Sequence, residues 1–486
     1  MRLHRDQGTA LIVSGNQLGS YGQHLNAQTG GQLAQALQAS GFSGKANEKV
    51  TLLAAAGQNR ITVIGTGPKE KLDSNAVMAA GGTAYKAFTG TPVTSLEMVC
   101  DFRQLLTDGP VRSPEAMATH GFLLASYDWK PGTRKPEGLT IQSTTASKSR
   151  LQLAEKSDPL LEGEREGIFL ARDLATAPAN LMWPQKFAER CQQLEDVGVK
   201  VTLFHQETMI NHRMGGLLAV SQGSARPPVL AVLEWPGDNP RQPPIALIGK
   251  GVTFDTGGNN LKTGRSIEDM HYDKAGAATV AGVMNALARR GSPQRVVAVL
   301  ALTENKIGPN AIEPNSIITM MNGKTIEITN TDAEGRLILA DAMTFAQHLF
   351  KPRLMIDFAT LTGAVGTALG SDYAGLFSNN DGLSKKLLVA GKQTGEPLWS
   401  LPLDYHGKLN GKTSDHVNWA GGAGASLGAA FLDLFVPQRQ GKPIPHAHID
   451  LAETAWKSSG SPICRSGVAS GWGVRMTNRY LLNLER

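Results

Sequence analysis

Cysteine is scarce in this chain. Only Cys100, Cys191 and Cys464 occur among its 486 residues. They are odd in number and far apart, which excludes a disulfide framework and a cysteine-built zinc site. A reducing, cytoplasmic setting is the expectation. No apolar run approaches the ~18–20 residues that cross a bilayer. The opening MRLHRDQGTALIVSG is basic, but its apolar run is too short for a secretory signal core. HExxH is absent, and His446 and His448 form the only close histidine pair. GKT occurs at 323–325 and 411–413, but a phosphate loop needs a glycine five residues earlier, and Ile318 and His406 stand there. Blocks of one charge are lacking too. The formal charge is +6, yet Lys and Arg are scattered, with KEK at 69–71 and ARR at 288–290 the densest groups. A solvated surface explains them better than a nucleic-acid stripe.

What is present reads as a folded α/β enzyme. Apolar residues make up 41% and charged residues 19%, with 54 Gly and 25 Pro. The length calls for more than one domain. TALIVSG, KVTLLAAAG, RITVIGTG and SLEMVCDF read as strands of a smaller N-terminal α/β domain over residues 1–155, with AVMAAGGTAYKAF as a helix. The stretch 127–150 is polar and basic until LTIQS, a last strand candidate. A charged helix over 156–175 links to a larger C-terminal domain, 176–486. There PPVLAVLEW, PIALIGKG, RVVAVLALTE, RLMIDFATLTG and HAHIDLAE read as strands around a central mixed sheet, alternating with helices such as AATVAGVMNALARR.

Three clusters carry chemistry. In IALIGKGVTFDTGGNNLKTG an apolar strand ends at Lys250, and Asp255 and Lys262 follow in a glycine-rich loop. In EDMHYDKAGAATVAGVM, Asp273 precedes a run of small residues opening a helix. In TIEITNTDAEGRLILADAM, Asp332, Glu334, Arg336 and Asp341 fall at or after a strand-to-helix junction whose flanks look like core. Taken singly, each has a plain structural reading: Lys250 pairing Asp255, Asp273 capping a helix, Arg336 neutralising Glu334. Taken together, four of the acids (Asp255, Asp273, Asp332, Glu334) and three bases (Lys250, Lys262, Arg336) at strand ends and glycine-rich turns converge where α/β sheets build sites. Burying that many carboxylates costs several kcal/mol each, and divalent cations would remove the difficulty. Carboxylates with an amine suit Zn²⁺, Mn²⁺, Mg²⁺ or Co²⁺, oxygen-rich donors favouring Mn²⁺ or Mg²⁺. Two ions about 3.5–4 Å apart would bind and activate a water.

NTDAEGRL resembles the signature of the leucyl aminopeptidase family (cytosol aminopeptidases, peptidase family M17). It is joined in order by GKGVTFDTGG, the Lys262 loop and the YD of HYDKAGAA. ARDLATAPANLMWP, GGLLAVSQGS, DFATLTGA and HIDLAETAW add further matches, so the resemblance spans roughly residues 165–475. The N-terminal third is compatible with the family's smaller, macro-like domain. The resemblance implies a homohexameric di-metal exopeptidase acting on peptides, with Lys250, Asp255, Asp273 and Glu334 holding one metal and Asp255, Asp332 and Glu334 the other. It implies Lys262 as electrophile toward the scissile carbonyl and Arg336 as holder of a bicarbonate that serves as base. Met270, Thr360, Leu361, Thr362, Gly363 and Ala452 match the first-residue pocket, suited to Leu and other apolar side chains; Met270 alone would read as core packing. A role in DNA binding and cleavage of Cys–Gly dipeptides are the alternatives within the family, and a catalytically dead paralogue would lack a ligand, whereas all five are present. Where the family pattern has Lys, Met and Gly, this chain has His271, Lys274 and Ala275. Glu453 stands where glycine is usual, and KIGP follows Asn305 in place of MPSG. Lys274 is expected to weaken metal binding or to alter specificity.

Overall fold

The aliphatic runs fold as strands where the pattern places them. The computed structural model describes residues 4–102, 106–129, 140–145, 158–456 and 458–485. The chain forms two compact units, Met1–Arg165 with Ser458–Gly467, and Glu166–Lys457 with Val468–Arg486. The division falls within the helix Pro159–Thr176. Residues 458–467 group with the first unit, in which Lys86 Nζ donates to the Ser461 carbonyl at 2.5 Å. Most of the polar stretch 127–150 lies outside the described residues.

In the first unit five strands pair in the order Lys49–Leu53, Gln58–Gly65, His4–Val13, Ser95–Cys100, Thr140–Thr145. Only the Lys49–Leu53 edge runs antiparallel. The helices Ser74–Phe88 and Pro114–Ala125 touch backbone to backbone, since a Cβ at Gly81 or Gly121 would overlap the facing chain. The helix Ser20–Gln28 gives little periodic signal and buries only Gly22 and Leu25, whereas Gln32–Ala39 buries Leu33 and Leu37 one turn apart.

The second unit is built on eight strands in the order Leu398–Ser400, Ala374–Ser378, His446–Asp450, Leu354–Ala359, Ile245–Asp255, Val296–Asn305, Val229–Trp235, Lys200–Phe204. The central four are mutually parallel, so their carboxyl ends share one edge. The flanking strands Ala374–Ser378 and Val229–Trp235 run antiparallel to them, which makes the sheet mixed. Small residues let the helix Ala275–Arg289 lie on this sheet: a Cβ at Gly249 would stand 2.6 Å from Ala277 Cα. Among the described residues no helix is long and apolar enough to cross a membrane.

The strand expected to end at Lys250 continues to Asp255. Its pairing with Val296–Asn305 slips between Val252 and Asp255, a bulge. Side chains alternate along a strand, so residues five apart point to opposite faces. The extra residue cancels that, and both Lys250 and Asp255 line one cavity. The histidine pair has a different employer. His446 Nε2 and His448 Nδ1 lie 2.8 and 2.5 Å from the two oxygens of Asp357 on the neighbouring strand, all fully buried. Burial would lower the His448 pKa, but the Asp357 charge outweighs it and holds the imidazole above its ordinary value.

Candidate metal centre

The carboxyl ends of three of the central strands, at Asp255, before Thr360 and before Ala452, open on a cavity of about 650 Å³. Lys250, Asp255, Lys262, Asp273, Asp332, Glu334 and Arg336 all line it, as do Met270, Thr360, Leu361, Thr362, Gly363 and Ala452. The residues expected to hold metals, to act on the substrate and to form the first-residue pocket thus reach one place. Asp255, Asp273 and Glu334 are buried, and each offers an oxygen within 4.8 Å of the others.

Lysines thread between these acids. Lys250 Nζ lies 2.8 Å from Asp273 Oδ1 and 2.9 Å from Glu334 Oε1, and donates to the Thr360 carbonyl at 2.9 Å. Its partners are therefore Asp273 and Glu334, not Asp255 across a turn. Lys262 Nζ bridges Asp255 Oδ2, at 2.9 Å, and Asp332 Oδ1. Burial alone would strip both lysines of protons, but the surrounding carboxylates outweigh it and hold both pKa values above the ordinary lysine range. The acids shift the other way. Burial, reinforced by the Asp255 and Glu334 charges, pushes Asp332 up to about 7. Burial also raises Asp273 well above the usual carboxylate range.

Asp273 is not a helix cap. It sits in the 3₁₀ turn Met270–Lys274, and the helix beginning at Ala275 has no side-chain cap. Its Oδ1 accepts from the Thr360 hydroxyl at 2.6 Å, while Oδ2, buried, has no hydrogen-bond partner. An orphaned carboxylate oxygen costs about 1–3 kcal/mol or more, and a divalent cation bound beside it would satisfy it. The donor set of carboxylates with one amine fits such an ion.

Arg336 donates through Nη1 to the Asn418 carbonyl at 2.8 Å, and its Nε has no hydrogen-bond partner. It makes no ion pair with Glu334 within 4 Å; Glu334 goes to Lys250. Burial pulls the guanidinium down to about 10, against the opposing pull of Glu334 and Asp450. A buried cation with an unused donor is a fit for an anion.

Gly335 explains the glycine of the motif. A Cβ there would stand 2.7–2.8 Å from the Lys250 side chain. Asp341, the fourth ionisable residue of that stretch, belongs elsewhere. Its two oxygens accept from the backbone N–H groups of Leu217 and Met321 at 3.0 and 2.9 Å. Asp341→Ala would orphan the buried Leu217 donor and the half-buried Met321 donor, so we expect a loss of about 2–4 kcal/mol of unfolding free energy. Urea titration of the variant checks this, with turnover per folded molecule unchanged as the second expected outcome.

The motifs missed several supporting residues. Asn305, the last residue of its strand, donates to Asp255 Oδ1 at 2.8 Å and to the Thr331 carbonyl. Asp450 accepts from Leu361 N–H and the Thr362 hydroxyl, pinning the loop that lines the pocket. A polar residue ending an otherwise apolar strand was the available signal. Lys274 turns out to be fully buried and does not line the cavity. Its Nζ donates to the carbonyls of Ala177, at 2.9 Å, and His271, tying the turn to the ATAPAN segment. Burial pulls it down to about 7.

Residues 169–477 match the model of the cytosol aminopeptidase family catalytic domain, and residues 11–130 match that family's N-terminal domain. A probable cytosol aminopeptidase of Chelativorans sp. (strain BNC1) is 40% identical over 97% of this chain and 94% of its own length. One from Caulobacter vibrioides is 39% identical over 97% and 95%. Among solved structures, a mutant of tomato leucine aminopeptidase superposes with a TM-score of 0.84 at 29% identity, covering 99% of this chain and 94% of that one. The bottromycin maturation enzyme BotP in complex with Mn gives 0.83 at 27% identity, covering 99% and 100%. Both domain models and near-full-length relatives agree with the site geometry: this chain belongs to the cytosol aminopeptidase family and is a metal-dependent aminopeptidase, a hydrolase of peptide N-termini.

Proposed function

We propose that this enzyme releases leucine and other apolar N-terminal residues from peptides, using two divalent cations, Mn²⁺ or Zn²⁺, held by Lys250, Asp255, Asp273, Asp332 and Glu334. The observation that supports this most is the trio Asp255, Asp273 and Glu334, buried together with an unpartnered Asp273 oxygen at the bottom of an open cavity. Bound there, the cations would supply an activated water and a docking point for the free α-amine. For Lys250 to act as a ligand its amine must shed its proton, which the cation charge favours.

The remaining steps fall to the chain's own groups. Without metal, the carboxylates outweigh burial and hold the Lys262 pKa above the ordinary lysine range; in its charged form Lys262 would polarise the scissile carbonyl and then stabilise the oxyanion. Arg336 is the residue that would hold a bicarbonate, an anion with proton-accepting oxygens beside the reacting water. Met270, Leu361 and Ala452 would supply apolar walls for the first side chain, with Thr360, Thr362 and Gly363 lining the same cavity. The same reading makes the enzyme a cytoplasmic homohexamer, which sedimentation of the purified protein tests.

The central experiment is hydrolysis of leucine p-nitroanilide before and after chelation, with Mn²⁺ or Zn²⁺ added back and N-acetyl-leucine p-nitroanilide as control. Chelation is expected to abolish activity, metal to restore it and acetylation to block it. Turnover that survives exhaustive chelation, or that ignores acetylation, would sink the reading.

A further inference from the structure

The first-residue pocket contains one acid that the metal centre does not use. Glu453 follows Ala452 in the short helix Ala452–Ala455, is exposed, and lines the same cavity as Met270 and Leu361. Among the described residues no hydrogen bond or ion pair holds its carboxylate. An exposed glutamate without a partner is ordinary when it points to bulk water. This one lies across another helix instead.

That helix is Gly363–Leu369, and the contact is at Gly366. A Cβ at position 366 would overlap Glu453 Cγ and stand 2.9 Å from both its Cδ and its Oε1. The three nearest atoms all belong to Glu453, and the Gly366 backbone is ordinary helix. Space for the glutamate is therefore what residue 366 provides by having no side chain. Beneath it, Val365 and Ala452 join Phe377, Ala425 and Ala429 in a small apolar cluster. The cavity thus combines apolar walls with a carboxylate held at their margin. Lysine and arginine side chains have the matching shape, an aliphatic stem and a cationic tip.

Resting on the aminopeptidase reading above, we propose that Glu453, seated by Gly366, is a specificity-determining residue that extends the pocket from apolar first residues to lysine and arginine. The apolar walls take the stem, and the carboxylate takes the ammonium or guanidinium. Solvent exposure keeps the attraction moderate and salt-sensitive.

The test is kcat/KM of the Mn²⁺-loaded enzyme on leucine, methionine, lysine and arginine p-nitroanilides, for wild type and Glu453→Gln. The readout is the Lys/Leu and Arg/Leu ratio. Glu453→Gln keeps the size and removes the charge, so both ratios are expected to fall about fivefold or more, mainly through KM. In wild type the ratios should also shrink as salt rises. Gly366→Ala, which forces the glutamate aside, should lower them in the same direction, and Glu453→Gly should relieve the loss of Tm that Gly366→Ala causes. Leucine cleavage with ratios indifferent to Glu453→Gln overturns this proposal alone. Failure to cleave any of the four substrates would overturn the aminopeptidase reading and this one with it.

Discussion

Lys262→Ala is expected to lower kcat on leucine p-nitroanilide by about 10²–10³-fold with a much smaller change in KM. That is the scale of losing one preorganised donor to a developing oxyanion. The expectation rests on position and charge. Lys262 Nζ stands at the cavity wall between Asp255 and Asp332, and without metal those acids raise its pKa despite partial burial. An interaction made only in the transition state affects kcat and kcat/KM together, whereas uniform binding would move KM. Metal content has to be measured beside the kinetics, because removing Lys262 also relieves two carboxylates of a neutralising charge. Metal retention with kcat within tenfold of wild type would exclude Lys262 as the electrophile.

Glu334→Ala should do more. Glu334 is proposed to bridge both cations, so its loss is expected to reduce activity by more than about 100-fold and to remove most of the rise in Tm that added Mn²⁺ produces. The metal-free protein should suffer too. Lys250 Nζ is buried with Glu334 Oε1 at 2.9 Å and Asp273 Oδ1 at 2.8 Å. Removing one partner of such a pair typically costs about 3–5 kcal/mol. Asp273 would remain to share the lysine charge, so the lower end of that range is expected. Thermal melts with and without Mn²⁺ check both claims at once. An unchanged metal-induced shift in Glu334→Ala would remove this residue from the ligand set.

The two outcomes separate residues that a motif cannot tell apart. Asp332, Glu334, Arg336 and Asp341 occur within ten residues of each other. Three face the cavity, and the fourth holds the backbone of Leu217 and Met321 inside the core. One helix decides the difference. Arg336 lies in its first turn at the cavity, and Asp341 lies further along Gly335–Phe350 on a face packed away from it. Similarly, Lys274 reads from its position as a charge beside a ligand, yet its amine is spent on two backbone carbonyls.

Local pattern by itself missed Lys200–Phe204, Ala374–Ser378 and Leu398–Ser400, but determined the other five of the eight strands of the larger sheet, the principal helices and the residue types that gather at the site. These depend on side-chain periodicity and on motif spacing, both of which are written along the chain. Tertiary structure alone decided which charges face one another. The bulge after Val252, with no distinctive residue to announce it, turned Asp255 to the same side as Lys250. The pairings of Lys250 with Asp273 and of Lys262 with Asp332 join residues separated by loops and helices, and no local preference specifies them. The sequence marks Glu453 as a departure from the family pattern, but its seat against Gly366, 87 positions earlier in the chain, is set by the fold. Contact across such distances is set by how helices and strands pack, because a side chain's partner is whatever the fold brings within a few ångströms of it.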